Sequence, residues 1–359
     1  MADPASLALW ENLSLGYTES QGHPELLAEI SGMYVTVAPE EVLCAVPEEG
    51  IFISMTTLLE PTDHDHVIVV SPGYQSLYEI ARGAGCEVDF WSPVERDGRV
   101  MFDPADLRSL MRPETKLVVV NFPHNPTGAQ PTVAEQQEIV DACSGAGAYL
   151  FSDEMYRLLE FADGAEALPS AVDVYDKAIC LSGMSKTLSL PGLRVGWLVT
   201  HDVELMLRLQ QYKDWTTICG SAPSEILALM GLRARDKILA RNNALLRDNV
   251  ALLREFFARH ADLFSWCEPI AGTIAFPRVI AGGDAMDGAS VAAYCERLVE
   301  ETGVLILPSA NYDGGAEDEP RFRLGFGRAN MAENLAVWER ALAEGLVPEA
   351  VAEAAPARL

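Results

Sequence analysis

Ser182-Gly-Met-Ser-Lys-Thr-Leu-Ser-Leu-Pro-Gly192, running on into Leu193-Arg194-Val-Gly-Trp197, is the stretch whose reading decides the rest of the chain. Lys186 lies in a short Ser/Gly-rich turn directly after the apolar run Ala178–Leu181, and Arg194 follows eight residues later at the head of a second apolar run. That spacing is expected of a lysine that holds an aldehyde cofactor as a Schiff base, with a nearby cation for a cofactor phosphate. A lysine amine attacks only when unprotonated, and burial or cationic neighbours favour that state. The chain has five lysines in 359 residues, so one in so sheltered a turn stands out. Read alone, the segment fits a snorkelling loop lysine equally well.

Outward from this turn, apolar runs alternate with helical periodicity, which predicts an α/β chain with a mostly parallel sheet covered by helices. Strands are expected over 66–70, 87–91, 117–122, 148–152, 178–181 and 195–199, with helices over 77–84 and 132–143. The run 117–122 is almost continuously apolar, as a strand buried on both faces should be. From Glu204 to Ala261 the pattern is helical, with a break at Cys219–Pro223. In the last hundred residues, short strands (273–276, 304–307) mix with helices near 291–300 and 332–346, as in a separate α+β lobe. The Ala-rich tail 351–359 is expected to fray.

A chain of this length can bury a large core and invites two subdomains around one site. The net charge of −27 sets aside nucleic acid and anionic membranes as partners. Seven scattered cysteines without a C-x-x-C pair read as reduced core residues. Six histidines lack metal-ligand spacing, and His64-Asp65-His66 reads as a polar turn, so no metal is expected. Neither a leader nor a membrane-length apolar run is visible, and a cytoplasmic protein is expected.

Other strand ends carry chemistry, and in parallel sheets ligands bind outside the carboxyl ends of strands. Asn121-Phe-Pro-His-Asn-Pro-Thr-Gly128 follows one strand, and Pro126 keeps Asn125 out of helical geometry. Ser152-Asp-Glu-Met-Tyr156 follows the next. Asp153 can hold a proton on a pyridine-type nitrogen, and Tyr156 can reach a phenolic oxygen. Pro72-Gly-Tyr-Gln-Ser-Leu-Tyr78 offers Tyr74 as a flat stacking face. Each has a plain alternative: an ordinary turn, an N-capping aspartate beside a helix-face tyrosine, a core tyrosine.

Their joint order is specific. Aromatic, Asn-Pro-Thr-Gly, Asp-x-x-Tyr, Ser-Lys, then arginine resembles the class I/II aminotransferases of the fold-type I pyridoxal-phosphate enzymes, from about Leu15 to Leu342. Gly16-Tyr17 through Leu26 is similar to the family's early Gly-Tyr segment, and Arg321–Phe326 to its carboxylate-binding strand. Phrases such as Thr217-Ile-Cys-Gly-Ser-Ala-Pro-Ser224 put the chain near a branch that also resembles capreomycidine-synthase-like cyclases.

The resemblance implies a large domain over 38–245 with a seven-stranded sheet, and a small domain from 1–37 and 246–359. It implies pyridoxal 5′-phosphate on Lys186, with Lys186 also shuttling the proton at the substrate Cα. It places Asp153 on the ring nitrogen, Asn125 and Tyr156 on the 3′ oxygen, and Tyr74 against the ring. Arg194 and Ser185 fall at the phosphate, as do the helix amides of Glu48 and Glu49. Tyr17 would reach the partner subunit's phosphate, which implies a homodimer with shared sites. Arg323 would clamp the substrate carboxylate, near Asn125.

Three departures accompany the match. Gly183 stands three before the lysine, where the family has Ser or Thr, leaving Ser182 or Ser185 to substitute. Val46-Pro47 replaces a Gly-Ala turn, and Pro47 removes one N–H at the helix start. About fifteen residues precede the Gly-Tyr segment, fewer than usual. Apart from these, the resemblance implies that 214–221 walls the pocket, and this stretch lacks the arginine that dicarboxylate-specific relatives use for a distal carboxylate, which disfavours an aspartate or glutamate donor. The implied activity moves the α-amino group of an L-amino acid to a 2-oxo acid, both small molecules. A lyase, β/γ-replacement enzyme or cyclase of secondary metabolism shares the same residues, and a non-catalytic relative is the third possibility.

Overall fold

In the computed structural model, which describes residues 3–59, 65–283 and 286–350, the alternating apolar runs form one seven-stranded sheet. Its strands are β1 (Val42–Ala45), β2 (His66–Val70), β3 (Glu87–Trp91), β6 (Thr115–Asn121), β7 (Tyr149–Asp153), β8 (Ala178–Gly183) and β9 (Gly196–Val199). A hairpin of β4 (Val94–Arg96) and β5 (Arg99–Met101) lies between β3 and β6 in sequence. The strand order is β1-β9-β8-β7-β6-β2-β3. Only β9 runs against the others, pairing antiparallel with both β1 and β8. The six strands predicted from sequence are all present. The seventh, β1, is an addition: its four buried residues adjoin the Val46-Pro47 turn, which reads locally as the start of a helix.

Helices close both faces. They are α1 (Pro4–Glu11), α2 (Pro24–Ser31), α3 (Pro47–Leu58), α4 (Ser76–Gly83), α5 (Pro104–Leu110), α6 (Val133–Ala146), α7 (Val203–Asp214), α8 (Ala222–Arg233) and α9 (Arg235–Arg259). Helix α6 shows why the boundaries fall where they do. Thr132 and Glu135 cap its start reciprocally, and Gly147 ends it with left-handed backbone at φ 70°. The predicted break at 219–223 lies earlier and is wider than expected, because α7 already ends at Asp214 while Ala222 and Pro223 form the first turn of α8. The strands β6 and β2 are buried throughout their apolar residues, so apolar side chains pack on both sides of the sheet.

The C-terminal residues build small antiparallel sheets from β10 (Phe264–Ser265), β11 (Ile274–Ala275), β12 (Arg278–Val279), β13 (Leu307–Pro308) and β14 (Phe322–Gly325), with helices α10 (Gly288–Thr302) and α11 (Met331–Ala343). The strand expected over 304–307 contracts to Leu307–Pro308, since pairing with β14 starts only at Leu307↔Arg323. His66 is a buried β2 residue bonded to Thr115 and Asp89, while His64 and the tail 351–359 lie outside the described residues. Five of the seven cysteines are buried, and all are free. Among the described residues, no helix is long and apolar enough to cross a membrane.

Candidate active site

Asn121 and Asp153 end β6 and β7 and face each other in the parallel register. The Asn121 amide donates to the Asp153 carbonyl at 2.9 Å, and its side-chain oxygen accepts the Asn125 N–H at 2.9 Å. One buried side chain therefore ties the Asn125 loop to the aspartate. Asn125 in turn accepts from the Arg323 guanidinium at 3.3 Å, which brings β14 of the C-terminal sheet onto the end of the main sheet.

Asp153 is 6% exposed and receives the Met155 N–H at 3.1 Å, an Asx turn rather than a helix cap. Burial pushes its carboxyl up to about 7, against the pull of Lys186. A buried carboxylate without a bonded cation is costly, and it suits a protonated ring nitrogen. Tyr156 is buried beside it; burial and the Asp153 charge both raise its phenol above the usual range. The Lys186 ammonium lies 5.8 Å from the Tyr156 ring centroid.

The lysine turn is pinned around a free side chain. The Met184 N–H donates to the Val195 carbonyl, and the Leu190 N–H to that of Met184. The Thr187 hydroxyl donates to the carbonyls of Met155 (2.9 Å) and Arg157 (2.8 Å), while Asn242 of α9 holds the Thr187 carbonyl. Among the described residues, Lys186 itself has no hydrogen bond or ion pair. It stays open to solvent on one side, yet partial burial, Arg323 and Arg194 together hold its amine below the usual lysine range, opposed by Asp153.

The end at which a phosphate is expected is less regular. Val46 gives α3 no side-chain cap and Pro47 has no N–H, while the Gly50 amide already bonds the Val46 carbonyl. The amides of Glu48 and Glu49 are left for an anion. The Glu48 carboxylate accepts the Tyr74 hydroxyl at 3.0 Å and also the Ser76 hydroxyl; that of Glu49 accepts Thr216 (2.5 Å) and Thr217 (2.8 Å). Both side chains are thus drawn off by hydroxyls. Tyr74 is 43% exposed, so it is not a core tyrosine. Arg194 is exposed, with left-handed backbone (φ 56°) and a bond to the Pro191 carbonyl. Ser185 is half-buried and unbonded among the described residues. Ser182 is buried against the Glu154 carbonyl at 3.5 Å, which turns it away from the role of substitute donor. Tyr17 is 90% exposed in the single chain and meets none of these groups.

Two neighbours carry no sequence signal of their role. Asn121 reads as the polar end of a strand until its two bonds are seen. Tyr312 sits in the loop after β13, where its buried hydroxyl lies against the Arg323 guanidinium, which offsets part of the upward push of burial.

These groups fit pyridoxal phosphate by the chemistry of the donor set: a free amine, a buried unpaired carboxylate, two unbonded helix amides and an arginine. Comparison with known proteins agrees. The sequence model of the aminotransferase class I and II family matches residues 10–337. Capreomycidine synthase of Streptomyces vinaceus is 30% identical over 326 residues, covering 90% of this chain and 80% of that protein. The crystal structure of a PLP-dependent aminotransferase from Streptococcus suis 89-1591 superposes with a TM-score of 0.84 at 31% identity, covering 95% of this chain and 87% of that one. That of the PLP-dependent cyclase OrfR also gives 0.84, at 29% identity, covering 94% and 87%.

Proposed function

The chain belongs to the class I and II aminotransferases, pyridoxal-phosphate enzymes of fold type I, and from that premise we propose that it moves the α-amino group of an L-amino acid to a 2-oxo acid. The observation that carries this reading is the convergence of Lys186, Asp153 and Arg323 at the ends of β8, β7 and within β14, braced by Asn121 and Asn125. When bound, the cofactor supplies an electron sink for negative charge at the substrate Cα. Lys186 holds the cofactor aldehyde and then carries a proton at Cα, a role its lowered basicity suits. Asp153 holds a proton on the ring nitrogen, while Asn125 and Tyr156 donate to the ring oxygen. Tyr74 covers the ring. The Glu48 and Glu49 amides, Ser185 and Arg194 take the phosphate. Arg323 binds the substrate carboxylate as a two-pronged donor, a geometry lysine does not reproduce.

The large unit over 38–245 and the small unit over 1–37 and 246–359 form one catalytic body, and the working species is a homodimer in which Tyr17 serves the partner's site. Its exposure in the single chain supports that assignment, and sedimentation velocity of the holoenzyme tests the dimer.

One experiment separates transamination from its rivals. Holoenzyme given a single L-amino acid and no 2-oxo acid should stop after one equivalent, with the cofactor in its amine form. Continuous turnover would establish a lyase, replacement or cyclase activity instead, a second reading favoured by the likeness to capreomycidine synthase and to the cyclase OrfR.

Arg323→Ala should raise KM for the amino acid about 100-fold, the scale of losing one partner of a buried charge pair. Bound-cofactor absorption should stay intact, whereas cofactor loss would mean the role is misassigned. Tyr312→Phe should raise KM about fivefold, as expected for one hydrogen bond to a charged group's neighbour. An unchanged KM would remove Tyr312 from the site.

A further inference from the structure

Pro47, Gly183 and Gly196 meet at one point on the phosphate side of the site. Gly183 ends β8, Gly196 begins β9, and the two face each other in the antiparallel register. Pro47 opens α3 directly above them. A Cβ on Gly196 would lie 2.7 Å from Pro47 Cγ, 3.0 Å from its Cδ and 2.7 Å from the Ser182 carbonyl oxygen. A Cβ on Gly183 would lie 3.3 Å from Pro47 Cγ, 3.0 Å from Gly196 Cα and 3.1 Å from the Val195 carbonyl oxygen. Two of the three atoms facing Gly183 are backbone of Val195 and Gly196, at and just before the start of β9, which yields little. The proline ring is therefore the one neighbour of a side chain at 183 that a substitution can remove.

Two features that look unrelated in sequence, a proline at the helix start and a glycine at the strand end, are thus in contact. We propose that Pro47 and Gly183 are a coupled pair that sets how this chain grips the cofactor phosphate. The Pro47 ring, together with the backbone of Val195 and Gly196, fills the space beside position 183, so no hydroxyl is presented from the end of β8. The helix amides of Glu48 and Glu49, with Ser185 and Arg194, carry the anion instead. Ser182 gives no relief, because its hydroxyl faces the Glu154 carbonyl. The inference rests on the proposed reading of this end as the phosphate site.

The test is a double-mutant cycle on cofactor affinity, which isolates a pairwise term between neighbours. Apoprotein of the wild type, Gly183→Ser, Pro47→Ala and the double variant is titrated with pyridoxal phosphate and, in parallel, with pyridoxal, which lacks the phosphate. The thermal midpoint of each apoprotein is also recorded. Although Gly183→Ser adds a hydroxyl, it should weaken pyridoxal phosphate binding roughly tenfold, the scale of overpacking a filled site. Adding Pro47→Ala should recover part of that loss, the part owed to the ring rather than to the backbone of Val195 and Gly196, and the thermal midpoint should fall and partly recover in parallel. If Gly183→Ser folds too poorly to titrate, recovery of its midpoint in the double variant supports the pairing, and failure to recover overturns it. Losses that simply add, while remaining specific to the phosphorylated cofactor, overturn the coupling alone. Equal losses for pyridoxal and pyridoxal phosphate overturn the phosphate assignment itself.

Discussion

Lys186→Ala should abolish the visible absorption of the lysine-linked cofactor and lower turnover by about 10⁴-fold or more. The magnitude follows from losing two roles at once, since a positioned proton carrier alone contributes about 10²–10⁴-fold and the covalent hold on the aldehyde adds to it. The surroundings favour this lysine over Lys213 and Lys177. Lys213 is buried, but its ammonium donates to the carbonyls of Ser20 (2.5 Å) and Ile218 (3.2 Å), so its donors are committed to holding two loops. Lys177 donates to the Gly147 carbonyl at the far end of β7, opposite Asp153. Lys186 combines donors without a hydrogen bond among the described residues with two cationic neighbours, and its lowered pKa enlarges the neutral fraction near pH 7. The acid side of the kcat/KM profile should therefore bend below the usual lysine range. Survival of the absorption band in Lys186→Ala would remove the residue from its role.

The order of motifs along the chain is enough to read the sheet and the family, and to place the lysine and the strand-end groups at neighbouring strand ends, because each lies beside a long apolar run with a fixed period. What escaped depends on partners distant in sequence. Strand β1 is four residues long and acquires its identity from pairing with β9, more than 150 positions away. Tyr312 comes to lie against Arg323 only because β13 and β14 pair at Leu307↔Arg323. The departures at Pro47 and Gly183 were both visible as odd residues, yet their contact is a property of helix α3 lying across the β8–β9 pair. Ser182 illustrates the converse. Its position next to Gly183 made it a plausible substitute, and the alternation of side chains along a strand sends it to the other face.

Asp153→Asn is expected to reduce activity while stabilising the cofactor-free protein, and the two effects have one cause. In activity, asparagine keeps the acceptor for the Met155 N–H but cannot carry the charge that holds a proton on the ring nitrogen. A loss of about 10²–10³-fold in kcat follows, the scale of removing a preorganised electrostatic partner, with cofactor still bound. Stability runs the other way. The Asp153 carboxyl is raised from its ordinary 3.8 to about 7 by burial. Between those values the folded chain keeps a proton that the unfolded chain has released. Stability therefore falls as pH rises through that window and stays low above it. Asparagine has no such penalty, and each unit of raised pKa is worth about 1.4 kcal/mol. The thermal midpoint of the apo variant should exceed that of the wild type most at pH 8, by less than half as much at pH 5, and the difference should vanish below the ordinary carboxyl value of 3.8. The gap at pH 8 should close when pyridoxal phosphate is added, because the ring nitrogen then supplies the cation that the wild-type carboxylate lacks. A variant no more stable than wild type at pH 8 would show that the buried charge is already compensated. A variant with nearly full activity would show that the charge is not used.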